Sequence, residues 1–560
     1  MKLAIINKDL CKPKKCNHEC MKICPVNRTG SKCIDIEEIA LISNELCIGC
    51  SQCEKRCPFH AIKVVQIPHT LEKNIVHSYG DNSFRLYNFL TPKQGVINGI
   101  IGNNGIGKST LLKIISGNLL PNFGSADKVD KNLVLNKLKK KPEIKKYLTT
   151  LYQGNLKISY KDQNIGQLKN KLDGTVQEIL SKYCFHNEFD YLMDKMDMKS
   201  IYETHVSKLS GGELQRLACL LTYLDEADIY IFDEVTNFLD IKQRLIIANL
   251  ILNLKKFNKY VFIVDHDLSI FDYVCDYISI IHGSRAAFGN ISMPYGISNA
   301  INMFFEGYVK QENMMIREHA IEYRYNLLSE LKIDGIKSIP IIKYNNDVVK
   351  FDNFQLDVNG GVIESITNIV LLLGENGTGK TTFLNHLYKE IDIAISYKQQ
   401  TINAKEWILN KKIPTVEQLL HAKINSSMAD PSFVSTVLNA LDYEDIKNKQ
   451  INYLSGGEKQ RVAIFLSLGE KADVYFLDEP SAMLDIEYRI CLPNIIKRFM
   501  FNNHKLCFVV EHDMMISMSL GLESDSKVII FDKDGRISKT SEPMDSYSGM
   551  NKFMEKMNIT

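Results

Sequence analysis

No run of about 18 apolar residues occurs in the 560-residue chain, which excludes a transmembrane helix. The opening Met1-Lys2-Leu3-Ala4-Ile5-Ile6-Asn7-Lys8-Asp9 has too short an apolar stretch for a signal peptide. An excess of one charge is lacking too. The net charge of +2 says little about partners, because local clustering matters more than the sum. The chain carries no flavin or nicotinamide fingerprint and no long heptad run. Cysteine is scarce beyond residue 57, because nine of the 14 lie between Cys11 and Cys57. With nothing pointing to export, that density favours metal binding over disulfides. The expectation is a soluble intracellular protein of three or four domains, each large enough to bury a core.

The cysteines form two quartets. Cys47, Cys50, Cys53 and Cys57, followed by Pro58, spell C-x2-C-x2-C-x3-C-P, the bacterial-ferredoxin spacing. Cys11, Cys16, Cys20 and Cys24, followed by Pro25, precede them. In two-cluster ferredoxins the fourth cysteine of each run ligates the other cluster. That rule groups Cys11, Cys16, Cys20 and Cys57 on one [4Fe–4S] cluster, and Cys24, Cys47, Cys50 and Cys53 on a second. Four-cysteine zinc sites are the alternative, but the prolines and the lack of clustered histidines favour iron and sulfur. Cys33 reads as a spare thiol in the connecting hairpin. Cys184, Cys219, Cys275, Cys491 and Cys507 stand among apolar residues and read as core packing. Without a redox partner site, the clusters are expected to staple a small domain rather than carry electrons.

Two phosphate loops follow. Gly102-Asn103-Asn104-Gly105-Ile106-Gly107-Lys108-Ser109 and Gly374-Glu375-Asn376-Gly377-Thr378-Gly379-Lys380-Thr381 both match G-x4-G-K-[ST]. Each stands between a strand-like run and a helical one, so backbone N–H groups can wrap phosphates at a helix N-terminus. Lys108 and Lys380 would hold the β- and γ-phosphates of ATP. Thr110 and Thr382 extend the two loops. Ser109 and Thr381 would ligate Mg²⁺. Apolar strands then end in Asp233-Glu234 and Asp478-Glu479. In each pair the first carboxylate suits Mg²⁺ and the second can polarise the attacking water.

Leu209-Ser210-Gly211-Gly212-Glu213 recurs as Leu454-Ser455-Gly456-Gly457-Glu458 and resembles the signature of ATP-binding-cassette ATPases. In that family the signature of one cassette meets the γ-phosphate held by the other. The resemblance therefore implies a first site of Lys108, Asp233, Glu234 and His266 with Ser455, and a second of Lys380, Asp478, Glu479 and His512 with Ser210. His266 and His512 match the family's switch histidine. Gln163 and Gln400 match its lid glutamine, which also ligates Mg²⁺. Spacing supports a duplication: 23 residues separate signature serine from strand aspartate in both copies. The interval from loop lysine to lid glutamine is 55 residues in the first copy and 20 in the second, an insertion of 35.

The insertion falls within 125–157 and carries Lys128, Lys131, Lys137, Lys139, Lys140, Lys141, Lys145, Lys146 and Lys157. Leu133, Leu135 and Leu138, then Ile144, Tyr147, Leu148 and Leu151, predict two short helices broken at Pro142. A basic helix–loop–helix of this kind suits a nucleic-acid backbone, and Lys12, Lys14, Lys15 and Lys22 add charge in the head. Tyr295-Gly296 before Ile301-Asn302-Met303-Phe304, echoed by Ser548-Gly549 before Met550-Asn551-Lys552-Phe553, reads as a hinge repeated after each cassette.

Over nearly its whole length the chain resembles the E subfamily of ATP-binding-cassette proteins, the RNase L inhibitor family. Cys-Lys-Pro-Lys-Lys-Cys at 11–16, Leu-Cys-Ile-Gly-Cys at 46–50, Gly-Ile-Gly-Lys-Ser-Thr at 105–110 and Val-Val-Glu-His-Asp at 509–513 carry the resemblance. It implies an α/β fold of two P-loop cassettes in tandem behind a ferredoxin-like domain. The expected boundaries are 1–70, 71–290, a hinge at 291–340, 341–530 and a second hinge segment at 531–560. It further implies a cytoplasmic monomer with intramolecular cassette pairing, recycling ribosomes and linked to translation initiation. Contacts would run to the small subunit and its RNA through the insertion and hinge, to a release-factor-like protein, and to initiation factors. Tyr79 and Phe84 would stack on adenine in the first site. Departures from the family pattern are Val235 in place of proline, Asp162 and Gln399 likewise, a less basic first hinge around Arg317, and a chain that stops at Thr560. A ribosome-binding scaffold or anti-association factor without productive hydrolysis is the alternative.

Overall fold

The computed structural model describes residues 2–8, 10–67, 71, 74–125, 129–186, 188–317, 319–321, 340–351, 354–364, 367–409, 412–521 and 526–557. Lys128, much of the expected first hinge and Thr560 lie outside them.

In the head Lys2–Ile6 pairs antiparallel with Ile62–Gln66, and Ile34–Ile36 with Ala40–Ile42. Two short helices, Glu19–Ile23 and Gln52–Arg56, cross this frame. Its core holds Ala4, Ile6, Ile34, Ala40, Ile42 and Ile62 beside Cys20, Cys24, Cys33 and Cys53. So small an apolar core makes thiol chemistry a substantial part of what holds the head together.

The duplication seen in the spacing is a duplication of sheets. In the first, strands lie in the order Ile75–Ser78, Arg85–Tyr87, Phe288–Gly296, Tyr277–Ser284, Ile97–Ile101, Tyr260–Val264, Ile229–Asp233, Ile158–Lys161. The second repeats the order with Asp347–Phe351, Phe354–Val358, Ile537–Thr540, Ser526–Asp534, Ile369–Leu373, Leu506–Val510, Val474–Asp478, Ile395–Lys398. The last five of each are mutually parallel. The fully buried runs Ile97–Ile101, Ile229–Asp233, Ile369–Leu373 and Val474–Asp478 are those of sheets covered on both faces. The boundaries expected at 290 and 530 fall inside the strands Phe288–Gly296 and Ser526–Asp534. Among the described residues no helix is long and apolar enough to cross a membrane.

The insertion forms helices Lys131–Lys137 and Pro142–Tyr152, with Pro142 at the first turn, where its missing N–H costs nothing. Ile144, Tyr147, Leu148 and Leu151 bury against the first sheet as expected. On the first helix Val134 and Leu138 turn inward, whereas Leu133 is exposed. Half-buried Leu135 also packs on this core, so of the Leu133–Leu135–Leu138 pattern only Leu133 departs, its place taken by Val134. Ala300, Met303 and Phe304 pack on the first cassette, and Met550 and Phe553 on the second. Of the five cysteines assigned to the core, Cys219, Cys275 and Cys507 are buried and Cys491 half-buried. Cys184 is exposed instead, since it lies in a turn after the short helix Ser181–Tyr183.

Candidate functional site

Each phosphate loop joins a buried central strand to a helix that begins at its lysine, Lys108–Ile115 or Lys380–Glu390. Gly107 has φ 101° and Gly379 φ 90°, the left-handed region open to glycine. A Cβ on either would strike an aromatic ring: Phe84 Cζ at 2.6 Å or Phe354 Cζ at 2.8 Å. Phe84 thus lies against the first loop. Phe354 is its counterpart in the second cassette, and sequence reading passed over it. The repeat alone could have found it, as an aromatic about 25 residues before the loop glycine.

Both loop lysines are buried and point back into their loops. Lys108 Nζ donates to Gly102 O at 2.8 Å, and Lys380 Nζ to Gly374 O at 2.9 Å. Burial lowers the Lys108 ammonium below its ordinary range, and lowers Lys380 to about 8 against the pull of Glu479 and Asp240. The strand acids respond in the opposite direction. Burial, reinforced by Glu234, raises Asp233 to about 7, and burial raises Asp478 to about 6. Thr381 Oγ1 donates to Asp478 Oδ2 at 2.7 Å, while Asp478 Oδ1 is buried with no hydrogen-bond partner. A hydroxyl beside an unpartnered carboxylate oxygen is a donor set that fits Mg²⁺.

The lid glutamines reach the second acids: Gln163 Nε2 donates to Glu234 Oε1 at 2.6 Å, and Gln400 Nε2 to Glu479 Oε1 at 2.8 Å. His266 Nε2 lies 3.0 Å from Lys108 Nζ and 3.7 Å from Glu234, and burial holds its pKa well down. His512 Nε2 lies 3.4 Å from Glu479 Oε1. Burial would raise Glu479, but the hydrogen bond and charge of His512, with Lys380 and Lys398, hold it at about 2. Ser210 and Ser455 cap the helices Gly211–Leu224 and Gly456–Gly469 in capping boxes with Glu213 and Glu458. Gly212 and Gly457 are pressed against the carbonyls of Phe238 and Met483, where a Cβ would come within 2.9 and 2.7 Å.

The cassettes meet at these loops. A pocket of about 1040 Å³ is lined by Tyr79, Phe84, Asn104, Gly105, Gly107, Lys108, Ser109, Thr110, Gln163, Asp233, Glu234 and His266 of the first cassette. Ser455, Gly456, Gly457, Met483 and Arg489 of the second line the same pocket. Tyr79 OH lies 3.1 Å from Thr110 Oγ1, at its mouth. Arg489 escaped sequence reading; its buried Nε has no hydrogen-bond partner. Across the second loop the approach is direct: Asn376 N donates to Asp240 Oδ2 at 2.8 Å and Asn376 Nδ2 to Phe238 O at 3.1 Å. Lys242 pairs with Glu375 at 3.0 Å. The equivalent Asp485 turns instead to Arg285 at 2.8 Å.

In the head, Cys11, Cys16, Cys20 and Cys57 line one small cavity together. Ala40 N–H points at Cys11 Sγ (3.5 Å) and Ala61 N–H at Cys57 Sγ (3.3 Å), the donors that thiolates of a cluster take up. Burial first, then neighbouring Cys57, Cys16 and Cys11, pushes the Cys20 thiol up to about 11. Cys53 is raised to about 12 by burial and then by Cys47, with Cys50 adding to it. Cys33, expected as a spare thiol in the connecting hairpin, stands beside two cysteines expected on the second cluster. It is buried, raised to about 12 by burial first, and within hydrogen-bond reach of Cys24 and Cys47. On the insertion, Lys137 lies over Phe123, Lys141 over Phe89 and Lys131 over Tyr152. Lys139, Lys140 and Lys146 are exposed.

Comparison with known proteins decides the family. The family model described as "ABC transporter" matches residues 89–237 and 363–482. The "4Fe-4S binding domain" model matches 40–63, and the "Possible Fer4-like domain in RNase L inhibitor" model matches 1–32. "ABC transporter E family member 1" of Arabidopsis thaliana is 38% identical, over 100% of this chain and 93% of its own. The chain belongs to the E family of ATP-binding-cassette proteins. Another E-family relative, "Translation initiation factor RLI1" of Saccharomyces cerevisiae, is 37% identical over 100% of this chain and 93% of its own. Among solved structures, a chain of "Model of ribosome-bound archaeal Pelota and ABCE1" matches with a TM-score of 0.88 and 34% identity, covering 100% and 93%. The complex of "archaeal ribosomal stalk protein aP1 and archaeal ribosome recycling factor aABCE1" gives 0.79 and 33%, covering 88% and 93%. As an E-family protein, this one has two ATPase cassettes behind an iron–sulfur-binding region.

Proposed function

We propose that this protein is an ATP-driven ribosome recycling factor. It binds the small subunit and splits ribosomes by closing its two cassettes, with a further role at initiation. One observation carries the reading. Lys108, Asp233 and Glu234 of one cassette share a pocket with Ser455, Gly456 and Gly457 of the other, so hydrolysis and cassette closure involve the same atoms. The relatives named as translation initiation factors, and the structures titled as ribosome-bound and as a recycling factor, supply the substrate.

In each site the lysine and loop N–H groups bind phosphate, and the opposing signature serine and glycines complete the cage around ATP. Glu234 and Glu479 polarise water, while His266 and His512 sense the γ-phosphate. Tyr79 and Phe84 take the adenine of the first site, and Phe354 serves the second. Ser109 and Asp233, and Thr381 and Asp478, with Gln163 and Gln400, would hold Mg²⁺, which neutralises phosphate charge when bound. Two [4Fe–4S] clusters on Cys11, Cys16, Cys20 and Cys57 and on Cys24, Cys47, Cys50 and Cys53 would rigidify the head. The exposed Lys139, Lys140 and Lys146 face ribosomal RNA, and the head meets a release-factor-like protein. The working form is a cytoplasmic monomer.

Glu234→Gln with Glu479→Gln should bind ATP and sediment with small subunits on sucrose gradients. Wild type should release them as ATP is consumed. Wild-type-like release by the double variant would overturn the mechanism.

A further inference from the structure

The two water-polarising glutamates are held differently, and the difference lies in one residue. After Glu234 the chain reads Val235-Thr236-Asn237-Phe238-Leu239-Asp240, and after Glu479 it reads Pro480-Ser481-Ala482-Met483-Leu484-Asp485. Asn237 Nδ2 donates to Glu234 Oε2 at 2.7 Å, while Gln163 Nε2 donates to Oε1 at 2.6 Å. Both oxygens of the first glutamate therefore accept an amide N–H. At the second, Gln400 reaches Oε1 of Glu479, and Ala482, in the position of Asn237, has no donor to offer Oε2.

Asn237 also belongs to the loop that grips the other site. Phe238 O accepts from Asn376 Nδ2, and Asp240 Oδ2 accepts from Asn376 N, both in the second phosphate loop. The first glutamate is thus tied, through one side chain and the next few residues, to the backbone that wraps phosphate in the second site. The reverse tie is missing. Met483 lines the first pocket and Asp485 pairs with Arg285, but Ala482 carries nothing back to Glu479.

We propose that Asn237 is a positioning residue that brakes hydrolysis in the first site. It withholds Glu234 Oε2 from the attacking water until nucleotide at the second phosphate loop shifts the 236–240 loop. A carboxylate oxygen that accepts a strong hydrogen bond is a weaker acceptor for the proton of a second donor. Its orientation is fixed by that bond as well. The device runs one way, from the second site to the first.

The inference rests on the ATPase reading above, and steady-state hydrolysis of radiolabelled ATP separates the two. With Lys380→Ala keeping nucleotide off the second phosphate loop, Asn237→Ala should raise the first-site kcat by roughly ten- to hundredfold, the worth of one hydrogen bond to a charged group. KM for ATP should stay within about twofold, because Asn237, although it lines the pocket, has its amide N–H committed to Glu234. The reciprocal transplant, Ala482→Asn with Glu234→Gln, should slow the second site by a similar factor. It guards against Asn237→Ala acting through misfolding. An unchanged or lowered kcat in Asn237→Ala with a wild-type melting temperature overturns the brake, as does an Ala482→Asn variant as fast as its parent. Absence of ATP turnover by the wild-type chain, with or without ribosomes, would instead overturn the ATPase reading and the brake together.

Discussion

Glu511 shows how much of this site is held in an unfavourable electrostatic state. It follows the strand Leu506–Val510 and precedes His512, is buried, and takes two hydrogen bonds from Ser481, to Oε1 and Oε2 at 2.9 Å. Burial first, then the charge of Asp513, still raises its pKa to about 7. Asp233 and Asp478 are raised likewise, to about 7 and about 6. Between the ordinary carboxylate range and these values, the folded chain holds protons that the unfolded chain has released. The stability that these carboxyls contribute should therefore fall as pH rises from about 4.5 to 7, while the buried His77, His266, His282 and His512, held below the usual imidazole range, contribute in the opposite direction over the same window. Urea midpoints across that range, without divalent cations, check the sign. The midpoint difference between wild type and Glu511→Gln isolates one carboxyl: it should move against the wild type as pH rises toward 7, and a difference that does not change with pH would show that Glu511 ionises freely. Catalytic sites commonly hold such groups, since charge buried for ATP and Mg²⁺ is uncompensated by protein alone.

The elements that present these residues also connect the head to the first site. Asn82, at φ 50°, lies between Tyr79 and Phe84 and is buried against the head. Its Nδ2 donates to Ala4 O (2.9 Å) and Ile42 O (2.8 Å), its Oδ1 accepts from Ile42 N (2.9 Å), and its own carbonyl accepts from Ile6 N (2.8 Å). One side chain thus fastens both strand pairs of the head to the segment that flanks the ATP pocket. Asn82→Ala removes three hydrogen bonds and leaves buried backbone groups unpaired, about 1–3 kcal/mol each in the worst case. Faster proteolytic release of the head, with its iron still bound, is the expected outcome. Release no faster than wild type would place the attachment elsewhere. No sequence pattern announced this contact: an asparagine in a turn is ordinary, and its partners are backbone atoms 40 and 78 residues away. What could be read in advance was periodic or repeated. Apolar strands, phosphate loops, signatures and cysteine spacings each encode local geometry, and repetition made them unambiguous. Phe354 and Arg489 were missed, and the ring contacts of Lys131, Lys137 and Lys141 went unforeseen, because they depend on which elements the fold brings together.

At the scale of the whole molecule the two halves share a strand order but not an interface. Asp240 accepts a backbone N–H from the opposite phosphate loop, whereas its equivalent Asp485 forms a salt bridge with Arg285, a side chain on the hairpin beside the first phosphate loop. Arg317 adds a second bridge, Nε to Glu487 Oε1 at 2.9 Å, while its guanidinium lies over Phe304. Both bridges reach the start of the second-cassette helix Ile486–Asn503, Asp485 being its N-cap. Asp485 is nearly buried, so removing Arg285 leaves a carboxylate desolvated and unpaired. Arg285→Ala should therefore push the cassettes apart on the side of the first site. The Arg285→Ala, Asp485→Ala pair should recover most of the loss, because the stranded charge goes with its partner. Distances between spin labels on the two cassettes, measured without nucleotide and with a non-hydrolysable ATP analogue, read this directly. The single variant should lengthen the nucleotide-free distance and the double variant should shorten it again, while both should close with the analogue, since phosphate contacts to Lys108 and Ser455 remain. If the single and double variants open equally, the bridge acts by its attraction alone, and the asymmetry between the two sites must come from the loops themselves.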